Sequence, residues 1–257
     1  MTYVFDNSWE KERDRLATLE QIWDPGSIRV LDALGVADGW RCLEVGGGGG
    51  SMTGWLSERT GPTGHVVATD IDTRFLDALD LPNVEVHRHD ISKDQIVWEG
   101  FDLIHSRAVI EHLPEKLSAL RKLYAALKPG GWMVIEDFDW LSGNFPTGDS
   151  KTFFKINEAV FTLMEAAGYQ KDYGRRLPAD LAEIGLTDLG AEGRNLYVQG
   201  GSRQIGFYWL ALERFRHGLV GSGLLTEEEI DEAQAEMMDP ASGSITPVVV
   251  TAWGRKS

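Results

Sequence analysis

The chain has 257 residues, of which 42% are hydrophobic, with one cysteine and a formal net charge of −15 at neutral pH. The length suits one α/β domain with added elements. The acidic charge argues against nucleic acid as a substrate, because a protein that holds a phosphate backbone normally presents a basic face. A single cysteine excludes internal disulfides and cysteine-rich zinc or iron–sulfur sites, and we expect no metal.

The N-terminal segment, residues 1–35, is interpreted as a helical cover that precedes the core. It lacks the basic and apolar stretches of a signal peptide, and the chain has no run of membrane-spanning length, so we expect a cytoplasmic protein without a membrane partner. Pro25 fits the first turn of a helix better than its interior, which predicts two helices that meet there. Tyr3, Phe5 and Trp9 either pack on a sheet edge or form a lid over a ligand.

The chain is organised around a run of five glycines at 46–50. The preceding segment, 41–45, is a short apolar run that predicts a strand buried on both faces. The following segment, 51–59, predicts a helix. A strand that passes through glycines into a helix exposes bare backbone at a helix N-terminus, where a phosphate or a nucleoside can lie against it.

The spacing of the glycines distinguishes between ligands. The dinucleotide-binding fingerprint requires glycine at its first, third and sixth positions. Counted from Gly46, the sixth position is Ser51, so this fingerprint is not matched. The spacing that does occur is an acid two residues before three alternating glycines, namely Glu44, Gly46, Gly48 and Gly50.

Acidic residues end the next two predicted strands. The segment 65–70 predicts a strand that ends at Asp70, which lies 24 residues beyond Gly46. Doubly wound nucleotide-binding folds place an acid at this position, where one carboxylate can accept hydrogen bonds from two ribose hydroxyls. The segment 83–91 predicts a third strand, and its Asp90 is either a ligand-binding acid or a solvated residue at a strand end.

Strands and helices alternate through 41–137. The segment 101–106 predicts a fourth strand, a helix begins at Pro114, and 132–137 predicts a fifth strand. This alternation indicates a doubly wound, Rossmann-like α/β fold whose ligand sites lie at the C-terminal ends of parallel strands. We interpret 36–137 as the ligand-binding core.

The last 120 residues do not continue the alternation. Helices are predicted within 138–187 and 200–244, and we interpret both segments as insertions on the substrate side. An acidic helix in the second insertion begins at the capping box Thr226-x-x-Glu229. The segments 188–199 and 245–254 predict a terminal strand pair that closes one edge of the sheet.

The order of these motifs resembles that of the class I S-adenosylmethionine (SAM) dependent methyltransferases. The glycine turn, the acids that end the second and third predicted strands, and the Leu-Lys-Pro-Gly-Gly turn at 127–131 follow in sequence. Within that superfamily the chain is similar to bacterial small-molecule methyltransferases. The resemblance implies a single methyltransferase domain, 1–257, on a seven-stranded sheet that is mostly parallel with an antiparallel final strand, plus helical lid elements.

The resemblance also implies where SAM would bind. Gly46 and Gly48 would lie under its methionine part, and Asp70 would hold its ribose. Glu44 would orient the glycine loop through backbone N–H groups. The other implied positions flank the adenine ring or line the cleft by the methionine part: Ile71, Asp90, Ile91, Ser106 and Arg107.

The implied reaction is an SN2 transfer of the SAM methyl group to a small-molecule acceptor, either a secondary metabolite or a cofactor precursor, with S-adenosylhomocysteine (SAH) as product. A base helps where the acceptor loses a proton, and the candidates are His112, Asp137 and Asp139. Four aromatic residues either wall the acceptor or serve as ordinary packing, namely Phe138, Trp140, Tyr208 and Trp209.

The sequence leaves alternatives to this function. A SAM-binding module without transfer activity would carry the same ligand positions. A NAD(P)-dependent oxidoreductase would need a glycine at the sixth position and a Tyr/Lys or His/Arg catalytic set, which we do not find. The acceptor, the atom methylated and the choice between monomer and homodimer are not determined by the sequence.

Overall fold

The structure, a computed structural model, describes residues 11–257, so the expectations for Tyr3, Phe5 and Trp9 lie outside the described residues. In chain order the strands are β1 (Arg41–Val45), β2 (His65–Asp70), β3 (Val84–Arg88), β4 (Phe101–Arg107), β5 (Leu127–Asp139), β6 (Phe145–Pro146), β7 (Thr187–Arg194), β8 (Tyr197–Gln199), β9 (Gly243–Ile245) and β10 (Val248–Arg255). The α-helices are α1 (Glu12–Ala33), α2 (Ser51–Thr60), α3 (Lys116–Ala126), α4 (Phe153–Ala166), α5 (Leu177–Glu183), α6 (Gly206–Gly221) and α7 (Glu227–Met238). Short 3-10 helices span Ile110–His112 and Tyr173–Arg176. Within 11–257, none of the helices combines the length and the apolar character needed to cross a lipid bilayer.

Seven strands form one sheet in the order β3-β2-β1-β4-β5-β10-β7. The pairs β2–β3, β1–β2, β1–β4 and β4–β5 are parallel, and β10 runs antiparallel to β7. β1 and β2 are buried along nearly their whole length, as is typical of parallel strands that are covered on both faces. The predicted Rossmann-like sheet, mostly parallel with an antiparallel final strand, is confirmed.

The described chain divides into two compact units. The sheet unit comprises 23–138, 172–194 and 249–257, and the helical unit comprises 11–22, 139–171 and 195–248. In the sheet unit, Leu120 of α3 and Leu181 of α5 are fully buried in one core with residues of β1, β4 and β5. The helical unit has its own core among α4, α6 and α7, which includes Phe215 and Ile230. The segment 138–187, expected as one insertion, is divided between the two units after residue 171.

The prediction that two helices meet at Pro25 is wrong, since α1 runs through the proline without a break. The proline removes one backbone hydrogen bond from the helix. Tertiary contacts hold the helix on both sides of it. Arg107 donates to the Asp24 carboxylate at 2.6 Å and to the Ser27 hydroxyl at 2.9 Å. The adjacent Trp23 is 1% exposed. Long-range contacts therefore override the local helix-breaking signal.

The predicted strand 188–199 is wrong as a single element, because it forms two strands in different sheets. β7 ends at Arg194, whose guanidinium binds the Glu136 carboxylate and the Thr251 hydroxyl, each at 2.6 Å. The chain then enters β8, which pairs with β9 in a three-stranded sheet that also contains β6. The predicted partner 245–254 is likewise divided, and the terminal strand pair is formed by β7 and β10.

Candidate active site

The glycine loop, residues 46–50, joins β1 to α2 at the C-terminal edge of the sheet. Three of its glycines have positive φ, with values of 74° at Gly46, 53° at Gly48 and 90° at Gly50, which is the residue before α2. These are left-handed conformations that residues with a Cβ rarely adopt. The loop is anchored on β2, because the Gly46 N–H donates to the Thr69 carbonyl at 2.8 Å. The strand order also reverses here, since β1 lies between β2 and β4.

Asp70 is the last residue of β2, and its carboxylate holds the glycine loop. One oxygen accepts from the Gly48 N–H at 2.9 Å, and the other accepts from the Asp72 N–H at 3.0 Å. Burial raises the pKa of Asp70 above its ordinary value, although these two N–H groups and that of Ile71 oppose the rise. Each carboxylate oxygen can accept more than one hydrogen bond, so the group retains capacity for a ligand.

Asp90 follows β3, and its carboxylate binds the residues of the turn that comes directly after it. Its carboxylate accepts from the Ser92 N–H at 3.0 Å and binds the Lys93 ammonium at 2.6 Å. Burial would raise the pKa of Asp90, but Lys93 and Ser92 outweigh it and hold the pKa below its ordinary value. The next residue, Ile91, is 5% exposed and packs in the core of the sheet unit. A ligand beside this turn would therefore meet a carboxylate and backbone.

A chain of polar side chains, buried except for the partly exposed Arg194, crosses the sheet from β1 to β7. His105 lies between two carboxylates, with Nδ1 2.6 Å from Glu44 and Nε2 3.0 Å from Glu136. Glu136 also accepts from Arg194 and from Thr251, each at 2.6 Å. These five residues belong to five strands that are adjacent in the sheet, β1, β4, β5, β10 and β7. We call this set the cross-sheet network.

The cross-sheet network corrects the expected role of Glu44. Its carboxylate binds His105, whereas the amides of Gly46 and Gly48 donate to β2. Burial alone would lower the pKa of His105, but Glu44 and Glu136 outweigh it and raise the pKa to about 9. The sequence motifs did not indicate a role for His105 or Glu136. The available signal was a titratable residue directly after a pair of apolar residues in each strand, Leu103-Ile104 before His105 and Val134-Ile135 before Glu136.

Ser106 and Arg107 end β4, and both side chains brace other elements. The Ser106 hydroxyl is fully buried and donates to the Val45 carbonyl at 3.0 Å. Arg107 is bound to α1 through Asp24 and Ser27. Ser106 therefore supports the residue that precedes the glycine loop, and Arg107 supports α1.

Among the three acid–base candidates, Asp137 has the most unusual surroundings. It is 1% exposed, and its Oδ1 accepts from the Val109 N–H at 3.1 Å. Its Oδ2 is buried and has no hydrogen-bond partner among residues 11–257. Burial raises the pKa of Asp137 well above its ordinary value, against the opposing effect of the Val109 and Glu111 N–H groups and the Lys116 charge.

The other two candidates, His112 and Asp139, interact with residues adjacent or close to them in the sequence. His112 ends the 3-10 helix after β4, and its Nε2 lies 3.6 Å from a Glu111 carboxylate oxygen. Asp139 accepts from the Leu141 N–H at 3.0 Å and from the Ser142 hydroxyl at 2.6 Å. Both oxygens of Asp139 are thus engaged within its own turn, as in an Asx turn that starts a loop.

The four predicted pocket aromatics do not form one group. Phe138 belongs to the sheet unit, where it packs edge-on against Trp23 with ring centroids 5.7 Å apart. Trp140 and Tyr208 both line a cavity in the helical unit, and their ring centroids are 6.4 Å apart. Trp209 is not among the cavity-lining residues in the described chain, and the Lys11 ammonium lies 5.5 Å from its ring centroid.

Comparison with known proteins identifies the family. Residues 7–177 match the family model described as a methyltransferase domain. The chain belongs to the SAM-dependent methyltransferases. It is similar to the ubiquinone/menaquinone biosynthesis C-methyltransferase UbiE of Vibrio parahaemolyticus, with 31% identity over 182 residues that cover 65% of this chain and 70% of that protein. The UbiE protein of Pseudomonas savastanoi is 34% identical over 128 residues, which cover 47% of this chain and 49% of that protein. The chain thus spans about half the length of several of the curated relatives it matches.

Solved structures show the same fold. A Haemonchus contortus phosphoethanolamine N-methyltransferase 2, in complex with phosphomonomethylethanolamine and SAH, is 16% identical with a TM-score of 0.55, covering 95% of this chain and 52% of that one. A SAM-dependent methyltransferase from Aquifex aeolicus is 24% identical with a TM-score of 0.53, covering 75% of this chain and 92% of that one. At these identities the similarity shows the class I methyltransferase architecture.

The cofactor of this methyltransferase is SAM, and the glycine loop of the chain fits it. The loop presents main chain without side chains at the N-terminus of a ten-residue helix, α2. Such a terminus carries free N–H groups that favour a carboxylate, the group at one end of SAM. Asp70 adds hydrogen-bond acceptors beside the same loop.

Gly46→Ala tests this fit. The added Cβ would come 2.2 Å from a Val109 methyl, at a φ of +74° that itself costs about 1–2 kcal/mol for an L-residue. We expect a lower midpoint of thermal unfolding and weaker SAH binding by calorimetry. Gly54→Ala in α2 is the matched control, because nothing lies within 4 Å of its added Cβ. In a helix this change stabilises by roughly 0.5–1 kcal/mol. Wild-type SAH affinity in Gly46→Ala would contradict the fit.

Proposed function

We propose that the chain transfers the methyl group of SAM to a small-molecule acceptor, a ring compound of the kind found among secondary metabolites and cofactor precursors. The observation that carries the proposal is the glycine loop at the C-terminal edge of the sheet, where the Gly48 N–H donates to the Asp70 carboxylate. Relatives named for ubiquinone and menaquinone C-methylation support a ring carbon as the methylated atom. The net charge of −15 supports a small molecule over nucleic acid.

SAM binding is proposed to use the positions that follow β1, β2 and β3. Gly46 and Gly48 would lie against the methionine part, Asp70 would accept from the ribose hydroxyls, and Asp90 would accept from the adenine amino group beside the Ile91 backbone. When bound, SAM supplies a methyl group that its sulfonium already activates. The main task of the chain is to hold the acceptor in line with that group, and such positioning contributes about 7–11 kcal/mol in well-oriented systems.

Asp137 is proposed to accept the proton that the acceptor loses. A base works best when its pKa lies near the working pH, and burial raises the Asp137 pKa toward that range. Val109 fixes one carboxylate oxygen, which leaves the unpartnered Oδ2 to take the proton. His112 is the alternative base. Asp139 is less suited, because both of its oxygens already accept hydrogen bonds.

The proposed function is tested by incubating the protein with methyl-labelled SAM and a panel of phenols and dihydroxynaphthalenes. We expect label in an organic-extractable product and stoichiometric SAH. A thermal-shift comparison of SAH with NADH accompanies the assay. Stabilisation by NADH alone would contradict the proposal, and SAH binding without transfer to any acceptor would favour a SAM-binding module.

Asp70→Asn is expected to weaken SAH binding by about 10- to 100-fold, because the amide loses acceptor capacity for the ribose and for the Gly48 N–H. Calorimetric titration measures the change. Asp72→Asn is the matched control, since the Asp72 carboxylate contacts Arg74 and only its backbone N–H binds Asp70. Equal affinities for the two variants would show that the ribose lies elsewhere.

A further inference from the structure

The helical unit contains a cavity of about 230 Å³ whose lining is mostly apolar and includes six aromatic residues. The aromatic lining residues are Trp140, Phe153, Phe161, Phe207, Tyr208 and Phe215. Trp140 packs edge-on against Phe161 with ring centroids 5.2 Å apart, and Phe207 does so against Tyr208 at 5.1 Å. Edge-on aromatic walls of this kind suit a flat apolar molecule.

The polar side chains that line the cavity are mostly paired with one another. The Asn144 amide donates to Asn157 at 2.9 Å, and the Thr152 hydroxyl donates to Glu236 at 2.9 Å. The Tyr208 hydroxyl is different, because it is buried and has no hydrogen-bond partner among residues 11–257. Burial raises the pKa of Tyr208 above its ordinary value, so the group stays protonated and can donate. Buried hydroxyls without partners are unfavourable, and a bound ligand would supply the missing acceptor.

The charges around the cavity argue for a neutral ligand. Arg15 lines it, but its guanidinium donates twice to the Glu12 carboxylate, at 3.0 and 2.8 Å. Asp149 and Glu236 are also lining residues and would repel an anion. Burying a charged group among the aromatic walls would be costly without a paired counter-charge.

We propose that this cavity binds an uncharged molecule of one or two fused rings, with a carbonyl or hydroxyl oxygen that accepts a hydrogen bond from Tyr208. The volume agrees with this size, since a cavity of about 150 Å³ in another protein holds benzene. The proposal goes beyond the proposed function, since it concerns the helical unit alone and does not require this molecule to be the methyl acceptor. Tyr208 is then a specificity-determining residue, which selects ring compounds that carry an oxygen over those that do not.

The test measures the binding of two probe ligands to two proteins. The probes are 1-tetralone and tetralin, which share a fused-ring skeleton and differ in the carbonyl oxygen. Binding to the wild-type protein and to Tyr208→Phe is measured by calorimetry. We expect wild-type protein to prefer 1-tetralone by about 3- to 10-fold, and we expect Tyr208→Phe to bind both probes alike. Tyr124→Phe, on α3 of the sheet unit, is the control and should keep the preference.

Two further readouts distinguish a ligand-binding role from a structural one. Tyr208→Phe should keep or raise the midpoint of thermal unfolding, because it removes a buried hydroxyl that has no partner. Ala211→Trp, which fills the cavity from α6, should abolish binding of both probes. Failure of the wild-type protein to bind either probe, or an equal preference in wild type and Tyr208→Phe, would overturn the proposal.

The methyl-transfer assay is independent of these titrations. Tyr208-dependent 1-tetralone binding in a protein that transfers no methyl group would confirm the cavity and refute the proposed function. Methyl transfer by a protein that binds neither probe would support the proposed function and refute the cavity proposal.

Discussion

Asp137→Asn is expected to lower the rate of methyl transfer by about 10²–10⁴-fold, the usual contribution of a general base. Asparagine keeps the shape of the side chain and the oxygen that accepts from Val109, but it cannot take a proton. Its effect should therefore appear in kcat, while SAH affinity stays unchanged. The wild-type rate should rise as the pH rises through the elevated pKa of Asp137, since only the carboxylate acts as a base, and this rise should disappear in the variant.

Glu183→Gln is the control for this experiment, because the Glu183 side chain is 53% exposed on α5 and pairs with Arg121. It should keep wild-type turnover and the wild-type pH profile. His112→Gln is measured in parallel. Loss of turnover in His112→Gln, with wild-type turnover in Asp137→Asn, would transfer the proton-accepting role to His112.

His105→Ala is expected to lower the free energy of unfolding by about 3–5 kcal/mol, the usual cost of removing one partner from a buried ion pair. The change would leave the Glu44 and Glu136 carboxylates buried without the imidazole that joins them. Denaturant titration measures the loss, which is a large fraction of the 5–15 kcal/mol that typically stabilises a protein. Arg121→Ala is the control, because its ion pair with Glu183 is more than half exposed and is worth about 0–1 kcal/mol. Similar losses in the two variants would mean that the cross-sheet network does not stabilise the sheet.

The same network predicts a dependence of stability on pH. The pKa of His105 rises from 6.5 to about 9 on folding, so the protonated imidazole stabilises the fold fully below pH 6.5, and this contribution is lost as the pH rises through about 9. Glu136 acts in the opposite direction, because its pKa is lowered on folding and its contribution is lost as the pH falls. Wild-type protein should therefore lose more stability than His105→Ala between neutral pH and a pH above 9. Parallel pH curves for the two proteins would contradict the assignment of a charged His105.

Several predictions from local sequence signals are confirmed. The second strand ends at Asp70 as expected, and the strand–glycine–helix turn forms at β1 and α2. Both hydrogen bonds of the capping box at the start of α7 are present, since the side chains of Thr226 and Glu229 each accept from the backbone N–H of the other. These features depend on residues a few positions apart, so short-range chemistry decides them.

The errors arose where distant residues decide the outcome. Pro25 is held inside α1 by Arg107 through its neighbours Asp24 and Ser27. The sequence pattern of 188–199 predicts one strand, but its two halves pair with strands in different sheets. In both cases the local pattern is compatible with more than one structure, and packing against elements far along the chain selects one of them.

The sequence by itself determined the sheet class, the glycine loop and the acid that faces it, because hydrophobic periodicity, glycine conformation and strand-end acids are local properties. Only the tertiary structure decided which buried polar groups meet. Glu44 and His105 are 61 residues apart, and Glu136 and Thr251 are 115 apart, yet each pair is joined by a hydrogen bond of 2.6 Å. A parallel sheet brings strands together in an order different from that of the chain, so the partner of a buried charge is known only once the strands are paired.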